Sequence, residues 1–286
     1  MNEKNVIQSG TLYLVATPIG NLADLSSRAV KVLSEVNFVA AEDTRNSGLL
    51  LSRLGVSKPL VSYFEHNKRE KGPAIVKRLL DGESCALVTD AGTPAISDPG
   101  EDLVRLCAEK GVPVTAVPGC CAAVTALTLS GLSTARFVFE GFLPTDKKER
   151  GARLDEIAAE KRTVILYEAP HRLRTTLDDL AAAVGDRPLA LCRELTKLNE
   201  EICRTTVKKA AALYKQREPR GEYVLILGGA SDADEEDYPS DPREHVELLE
   251  AAGLSRMDAI KAAAKARGVK KNEIYALLAK RDGDEE

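Results

Sequence analysis

Long hydrophobic segments and aromatic side chains are scarce in this 286-residue chain, which has no Trp and only 4% aromatic residues. No apolar run reaches the ~18 residues that a membrane-spanning helix requires. The polar start MNEKNVIQSG has no apolar signal-peptide core. With 44% hydrophobic and 29% charged residues, the composition excludes a disordered or fibrous chain. We therefore expect a cytoplasmic protein without a membrane partner, long enough for about two domains.

Candidate metal ligands are also few. The six Cys include no CxxC pair, and the only histidines are His66, His171 and His245. A structural zinc site needs four nitrogen or sulfur ligands in clustered pairs. Most cysteines lie in apolar runs such as CALVTD and LALCREL, where a thiol acts as a small hydrophobic side chain. We expect no metal site and, in a reducing compartment, no disulfide.

Three common enzyme motifs are missing. The chain contains neither GxGxxG nor GxxxxGK(S/T), so an NAD enzyme or a nucleotide hydrolase has little support. GxSxG and a Ser-His-Asp constellation are absent as well.

Short apolar runs alternate with helical patterns over the first part of the chain. Predicted strands cover residues 11–17, 38–41, 60–64, 85–89 and 112–117, and predicted helices cover 27–36, 47–54, 73–80 and 101–110. Strands joined by helical crossovers predict a largely parallel sheet. We assign residues 10–118 to an N-terminal α/β domain.

The alternation continues over residues 119–230, which we interpret as a second α/β domain. Predicted strands at 137–142, 163–167, 189–192 and 223–227 are separated by helices at 121–129 and around 171–184 and 207–216. A basic stretch with Lys147, Lys148, Arg150 and Arg153 follows the first of these strands.

An acidic linker, residues 231–242, and a helical module, residues 243–281, complete the predicted organisation. The module shows helical patterns at 243–252, 256–267 and 270–280. Gly253 and Gly268 are placed to end the first two, and Ser255 to cap the second. The pattern resembles a helix-turn-helix module. The alternative is a small helical tail that packs or oligomerises.

Four loops that follow predicted strands of the first domain are richer in glycine, proline and small polar residues than a simple connection between a strand and a helix requires. They are TPIGN (17–21), EDTR (42–45), DAGTPAISDPG (90–100) and PGCCA (118–122). In an open parallel sheet, ligands bind outside the carboxyl ends of the strands. Small residues there let the backbone approach a ligand closely. Each loop alone is read more simply as a structural turn, but four together predict a shared ligand site.

Six segments, in this order, resemble the ribosomal RNA small-subunit methyltransferase I family of the tetrapyrrole-methylase-like fold: TPIGNLADLSSRA, AAEDTR, VTDAGTPAISDPG, FEGFLP, YEAPHR and RELTKLNEE. The resemblance covers about residues 10–228 and extends into the helical module. It implies two α/β domains with S-adenosylmethionine in the cleft between them, and a homodimer. It also implies methyl transfer to the ribose 2′-oxygen of a cytidine in the decoding region of 16S rRNA, with assembled subunit or free RNA left open as the substrate.

The resemblance also implies which residues bind the cofactor. The DAGTPAI loop takes the place of the fold's GDPxx(F/Y) segment, and the PGCCA loop, the first loop and a strand end of the second domain complete the cleft. The implied cofactor residues are Pro18, Gly92, Thr93, Pro94, Ile96, Pro118, Gly119, Cys121, Ala122 and Tyr167. The first loop has a single glycine where the wider fold is glycine-rich, which favours the RNA branch over the tetrapyrrole branch.

A ribose hydroxyl is a poor nucleophile, so a base or a cation at the strand ends would assist methyl transfer to it. Glu42, Asp43 and Arg45 form one such group, and His171 and Arg172, beside Glu168, form another. We predict these five residues as catalytic candidates: Glu42, Asp43, Arg45, His171 and Arg172. The alternatives are a structural Asp43–Arg45 ion pair with a capping role, a Glu168–arginine pair with His171 merely at a helix start, and a solvated Arg172.

The sequence is also compatible with two other functions. One is a methylase acting on a tetrapyrrole, and the other is a regulator that binds a metabolite and uses its terminal helices to hold nucleic acid. The net charge of −4 does not exclude RNA, because ten acidic residues lie in residues 232–241 and 282–286, and the remaining chain carries six net positive charges.

Overall fold

A computed structural model of the protein describes residues 6–230, 239, 241–267 and 269–279. The chain divides into two compact units, with the boundary between Ala230 and Ser231. In the described ranges, none of the helices has both the length and the apolar character needed to cross a membrane. Most of the predicted acidic linker, residues 231–238 and 240, lies outside the described residues.

The first sheet has five parallel strands in the spatial order β3-β2-β4-β1-β5. Its strands are β1 (Leu12–Val15), β2 (Phe38–Ala41), β3 (Leu60–Ser62), β4 (Cys85–Val88) and β5 (Val114–Val117). The helices that connect them are α1 (Ser27–Glu35), α2 (Thr44–Arg53), α3 (Lys68–Leu80) and α4 (Gly100–Glu109), with a 3-10 turn at Leu22–Asp24. The predicted parallel α/β sheet is confirmed.

Both faces of the first sheet are covered, which explains why its central strands are apolar at every position. Leu12 on β1 faces a core formed with α3 and α4, which contribute Ile75 and Leu103. Its neighbours Tyr13 and Val15 face the opposite core, which includes Leu33 of α1. All four residues of β2 and of β4 are buried.

The second sheet is mixed, in the order β6-β7-β10-β8-β9. Its strands are β6 (Phe137–Phe142), β7 (Thr163–Glu168), β8 (Pro188–Arg193), β9 (Glu201–Thr206) and β10 (Tyr223–Leu227). Only β6 and β7 pair in parallel, and the other three pairs are antiparallel. Its helices are α5 (Ala122–Ser130), α6 (Lys147–Ala159), α7 (Pro170–Val184) and α8 (Val207–Gln216).

The central strand β10 joins the two cores of the second sheet. Leu225 points into the core that includes residues of α7 and α8. Ile226 points into the core that includes Ala126 and Leu127 of α5. Because α5 packs on this sheet while β5 belongs to the first, we propose to divide the unit into α/β domains at residue 118.

Several boundaries and two elements differ from the sequence predictions. Helix α2 begins at Thr44 rather than 47, and α3 begins at Lys68 rather than 73, so Pro73 lies inside α3. Strand β9 escaped prediction because it is an edge strand with polar residues such as Arg204. Helix α6 escaped because Ile157 is its only buried residue, which leaves a weak apolar stripe.

The described residues of the second unit form three helices: α9 (Pro242–Ala251), α10 (Arg256–Ala266) and α11 (Lys271–Ala279). Val246, Ile260 and Ile274, one from each helix, share a small core. The hydroxyl of Ser255 accepts a hydrogen bond from the Asp258 amide at 3.3 Å, as predicted for a cap. Gly253, with φ +97°, follows the first helix as predicted. Gly268 lies outside the described residues.

Candidate active site

The four predicted loops meet at one edge of the first sheet, because all its strands point the same way. Thr17 and Gly92 exchange backbone hydrogen bonds of 2.9 and 3.1 Å, which join the first loop to the third. The Thr93 hydroxyl donates to the Cys120 carbonyl at 2.9 Å and joins the third loop to the fourth. Gly92 has φ +86°, a conformation that favours glycine.

The third loop is held in an unusual conformation by Asp98. Its carboxylate accepts hydrogen bonds from the backbone amides of Ala95, Ile96 and Gly100 at 3.0, 3.3 and 2.7 Å. Ala95 and Ser97 have φ values of 68° and 61°, which cost non-glycine residues free energy. Burial raises the pKa of Asp98 above its ordinary value, although the three amides oppose that shift. The carboxylate therefore stabilises a strained loop.

A cavity of about 530 Å³ lies between this edge and the second sheet. The first sheet contributes the loop residues Ile19, Glu42, Thr89, Asp90, Ala91, Gly92, Thr93, Ile96, Ser97 and Asp98. The region of α5 and the second sheet contribute Cys121, Ala122, Phe142, Tyr167, Glu168, Ala169, Pro170, Cys192, Leu195, Glu222, Tyr223 and Val224. The lining includes five carboxylates and, among the described residues, no Lys, Arg or His.

The structure brings together most of the residues predicted to bind a cofactor. Gly92, Thr93, Ile96, Cys121, Ala122 and Tyr167 all line the cavity. Pro18 instead lines a smaller neighbouring cavity. Pro94, Pro118 and Gly119 line neither of these two cavities. At Gly119 an added Cβ would lie 2.9 Å from the Cβ of Ala16, so this glycine lets the fourth loop pack against the end of β1.

Tyr167 connects the second sheet to α5. Its hydroxyl accepts a hydrogen bond from the Ala123 amide at 3.2 Å, in the first turn of α5. Its ring makes edge contacts with Phe139 and Phe142, with centroids 5.1 and 5.6 Å away. Burial raises the pKa of Tyr167 to about 12, so the hydroxyl is neutral at physiological pH. The residue is a fixed aromatic wall of the cavity.

Asp43 and Arg45 form the ion pair and cap weighed above as the alternative. Asp43 precedes α2, accepts from the Arg45 amide at 2.8 Å and binds the guanidinium through Nε and Nη2 at 3.1 and 2.7 Å. These hydrogen bonds lower the pKa of Asp43 to about 2. The Arg45 side chain is 88% exposed, and neither residue lines the cavity. Their catalytic role stays a prediction.

Glu42 and Asp90 lie side by side at the ends of β2 and β4. Glu42 Oε2 accepts from the Thr89 hydroxyl at 2.7 Å, and Asp90 Oδ2 accepts from the Asn46 side-chain amide at 3.2 Å. Partial desolvation of the carboxylate at the mouth of the cavity is the main cause that raises the pKa of Asp90, and the charges of Glu42 and Asp43 add to it. Glu42 is the only predicted catalytic candidate among the residues that line the cavity.

Glu168 is a buried carboxylate on the opposite wall. It accepts from the Ala169 amide at 2.9 Å and from the Thr176 hydroxyl, and Arg172 Nε lies 3.6 Å from its Oε1. Arg172 also donates to the Leu143 carbonyl at 2.5 Å. His171 is exposed in the first turn of α7. Neither Arg172 nor His171 lines the cavity, and their catalytic role also stays a prediction.

Sequence reasoning missed the cavity residues on β8 and at the start of β10, namely Cys192, Tyr223, Val224 and Glu222, which directly precedes β10. They belong to no motif, and their position depends on the strand order of the mixed sheet. Asp90 and Asp98 stood inside a loop that the sequence singled out, but only their environment distinguishes them. In the described parts of the chain, no group of three or more His, Cys, Asp or Glu is arranged to hold a metal ion.

Comparison with solved structures shows the fold. Uroporphyrin-III-C-methyltransferase from Thermus thermophilus matches with a TM-score of 0.55 and 21% identity, over 77% of this chain and 94% of that chain. The cobalamin biosynthetic enzyme cobalt precorrin-4 methyltransferase matches with a TM-score of 0.57 and 18% identity, over 77% of this chain and 95% of that chain.

Comparison of sequences shows the family. The sequence model for Tetrapyrrole (Corrin/Porphyrin) Methylases matches residues 11–211. Proteins named ribosomal RNA small subunit methyltransferase I are 43% identical in Synechocystis, covering 96% of this chain and 99% of that protein, and 46% identical in Halalkalibacterium halodurans, covering 94% of each. The Bacillus subtilis protein of that name is 43% identical, covering 93% of each. This chain therefore belongs to the tetrapyrrole methylases and, within them, to the ribosomal RNA small subunit methyltransferase I family.

Proposed function

We propose that this protein transfers a methyl group from S-adenosylmethionine to the ribose 2′-oxygen of a cytidine in the decoding region of small-subunit ribosomal RNA. The observation that carries the proposal is the cavity between the two sheets, which is built by the four loops of the first sheet and walled by Tyr167. The names of the relatives support the choice of RNA over a tetrapyrrole as the substrate.

The residues of the cavity fit the proposed cofactor. S-adenosylmethionine combines an adenosine with a positively charged sulfonium. About 530 Å³ is the size expected for a small-molecule site. Ile19, Ile96 and Phe142 offer apolar surface, and the carboxylates, with no basic side chain among the described lining residues, suit a cation. The same charge pattern disfavours a polyphosphate ligand.

The cofactor carries the activated methyl group, so the protein's task is to align the reacting atoms. Alignment alone supplies ~7–11 kcal/mol of the barrier reduction in favourable cases. The hydrogen bonds from Thr17 to Gly92 and from Thr93 to Cys120 make the loops a fixed frame for this purpose. Tyr167 and Phe142 narrow the cavity from the other side and limit access of water to the reacting centre.

We further propose that the protein works in the cytoplasm as a homodimer and that its substrate is 16S rRNA within the small ribosomal subunit. The helices α9–α11 are proposed to contribute to RNA binding. Because phosphate contacts depend on salt, RNA affinity should fall steeply as the salt concentration rises.

A labelled-methyl transfer assay tests the proposal. The protein is given labelled S-adenosylmethionine with small subunits lacking the modification, with naked 16S rRNA, or with uroporphyrinogen III. We expect label in the subunit RNA, recovered as 2′-O-methylcytidine by nucleoside mass spectrometry. Label in uroporphyrinogen, or label in no substrate although the cofactor binds, would refute it.

A further inference from the structure

A second, smaller cavity of about 190 Å³ adjoins the cofactor cavity. Its lining comes from the first loop and from α2: Thr17, Pro18, Gly20, Leu22, Asn46, Ser47, Leu50 and Arg53, together with Thr89 and Asp90. Thr89 and Asp90 are the two residues that line both cavities. This volume lies below the ~300–1,000 Å³ of a site for a drug-sized ligand and is on the scale of a sugar ring rather than of a whole nucleotide.

The two cavities differ in charge. The larger one is lined by carboxylates without a basic side chain among its described residues, whereas the smaller one contains Arg53. Arg53 is exposed, and within the described parts of the chain no carboxylate lies within ion-pair distance of it. An arginine with its donors available binds phosphate well. The smaller cavity therefore suits a sugar with an adjoining phosphate.

Asp90 differs from the other carboxylates of this edge in how it is bound. Asp43 is neutralised by Arg45, Asp98 is occupied by three backbone amides, and Glu42 accepts from a hydroxyl. Asp90 is exposed, its Oδ2 accepts a hydrogen bond from the neutral side-chain amide of Asn46, and among the described residues no cation forms an ion pair with it. It thus keeps the capacity to accept a proton from a ligand at the junction of the two cavities.

We infer that the smaller cavity receives the ribose of the target nucleotide, that Arg53 binds a phosphate beside it, and that Asp90 accepts the proton of the ribose hydroxyl. This inference rests on the proposed function. In the step, the hydroxyl oxygen forms a bond to the methyl carbon as the carbon–sulfur bond breaks. The electron pair of that bond stays on sulfur, whose positive charge is lost, and the hydroxyl proton moves to the Asp90 carboxylate.

The raised pKa of Asp90 agrees with this role, since a stronger base takes the proton more readily. Desolvation is the main cause of that raised pKa, and the charges of Glu42 and Asp43 at the end of β2 raise it further. The other charged groups near the two cavities are Arg45 and Arg53 on α2, Asp98 in the same loop, and Glu168 and Glu222 across the larger cavity.

The test uses the full-length variants Asp90→Asn and Arg53→Met. Matched controls are Asp81→Asn, at the C-terminal cap of α3, and Arg136→Met, directly before β6, neither of which lines either cavity. Asp90→Asn should lower the single-turnover rate of methyl transfer to the small subunit by ~10²–10⁴-fold. It should leave the affinity for S-adenosylhomocysteine, which lacks the sulfonium charge that a carboxylate would attract, within about threefold of wild type in calorimetric titrations. It should also remove the acidic limb of the pH–rate profile. Arg53→Met should raise the KM for RNA. It should also reduce the slope of the logarithm of RNA affinity against the logarithm of salt concentration by about one, the value expected for the loss of one phosphate contact.

The outcomes separate the two proposals. If the wild-type protein methylates no ribosomal RNA, the proposed function fails. If the wild type is active, three results would each overturn the inference. They are an Asp90→Asn rate equal to that of Asp81→Asn, loss of S-adenosylhomocysteine binding in Asp90→Asn, and an Arg53→Met salt dependence equal to that of Arg136→Met. The inference is supported if Asp90→Asn loses rate but keeps its affinity for S-adenosylhomocysteine, and if Arg53→Met binds RNA with a reduced salt dependence.

Discussion

Replacement of Asp98 by alanine should weaken cofactor binding without unfolding the protein. The side chain contributes three hydrogen bonds to the third loop, of which those to Ala95 and Gly100, at 3.0 and 2.7 Å, are well formed. Two such bonds contribute about 1–3 kcal/mol in total, at ~0.5–1.5 kcal/mol each. Their loss also leaves the left-handed Ala95 and Ser97, which cost ~1–3 kcal/mol each, without the contacts that hold them.

The loop of Asp98→Ala should therefore populate its binding conformation less often. A shift of about 1–3 kcal/mol reduces cofactor affinity by roughly 5- to 150-fold, because only the fraction with the correct loop binds. Calorimetric titration with S-adenosylhomocysteine measures this loss, with Asp81→Ala as the control. Asp98→Asn keeps one acceptor oxygen, so its affinity for S-adenosylhomocysteine should lie between those of the wild type and Asp98→Ala. Wild-type affinity in Asp98→Ala would refute the reasoning, since the carboxylate would then not control the loop.

Three further predictions concern stability and ionisation. Leu225 is fully buried in the centre of β10, so Leu225→Ala should lower the free energy of unfolding by ~2–5 kcal/mol in urea titrations. Leu198 is 99% exposed, so Leu198→Ala should change that free energy by at most about 0.5 kcal/mol. Equal effects of the two variants would contradict the assigned core. The carboxyl group of Asp43 should titrate near pH 2 by NMR, and Arg45→Met should return it towards 3.8. Because the pKa of Asp43 is lower in the folded than in the unfolded state, the Asp43–Arg45 pair stabilises the fold above about pH 4, and this stabilisation is lost as the pH falls towards 2. An unchanged titration midpoint of Asp43 in Arg45→Met would exclude the arginine as the cause of the low pKa. Tyr167→Phe should keep the aromatic wall and lose one hydrogen bond, costing ~0.5–1.5 kcal/mol in the same urea assay; a larger loss would give the hydroxyl a role beyond that bond.

The first sheet was predictable because its signal is local. Strands such as β2 and β4 are buried on both faces, so each appears as a continuous apolar run between helical patterns. Since parallel strands direct their carboxyl ends to one edge, the meeting of the four loops followed from the sequence alone. Helix starts were less accurate, because the proline at position 73 resembles a first-turn residue although α3 begins at Lys68.

The second wall of the cavity was not predictable in the same way. Glu222 and Val224 reach the cavity only because β10 lies between β7 and β8, an order that no local pattern encodes. The distinction between Asp43 and Asp90 was likewise hidden. Both are acidic residues at strand ends, and only the tertiary structure shows that one is neutralised by Arg45 while the other lies at the junction of two cavities.

The cavity between the two sheets is proposed to be the cofactor site of a methyltransferase. A crystal structure of the protein with S-adenosylhomocysteine would locate the bound ligand. We predict that the ligand lies between the third loop and Tyr167, in contact with Gly92 and Ile96, with its sulfur directed towards Asp90. A ligand bound elsewhere on the chain would exclude this cavity as the cofactor site, and a sulfur directed away from the junction of the two cavities would exclude Asp90 as the base.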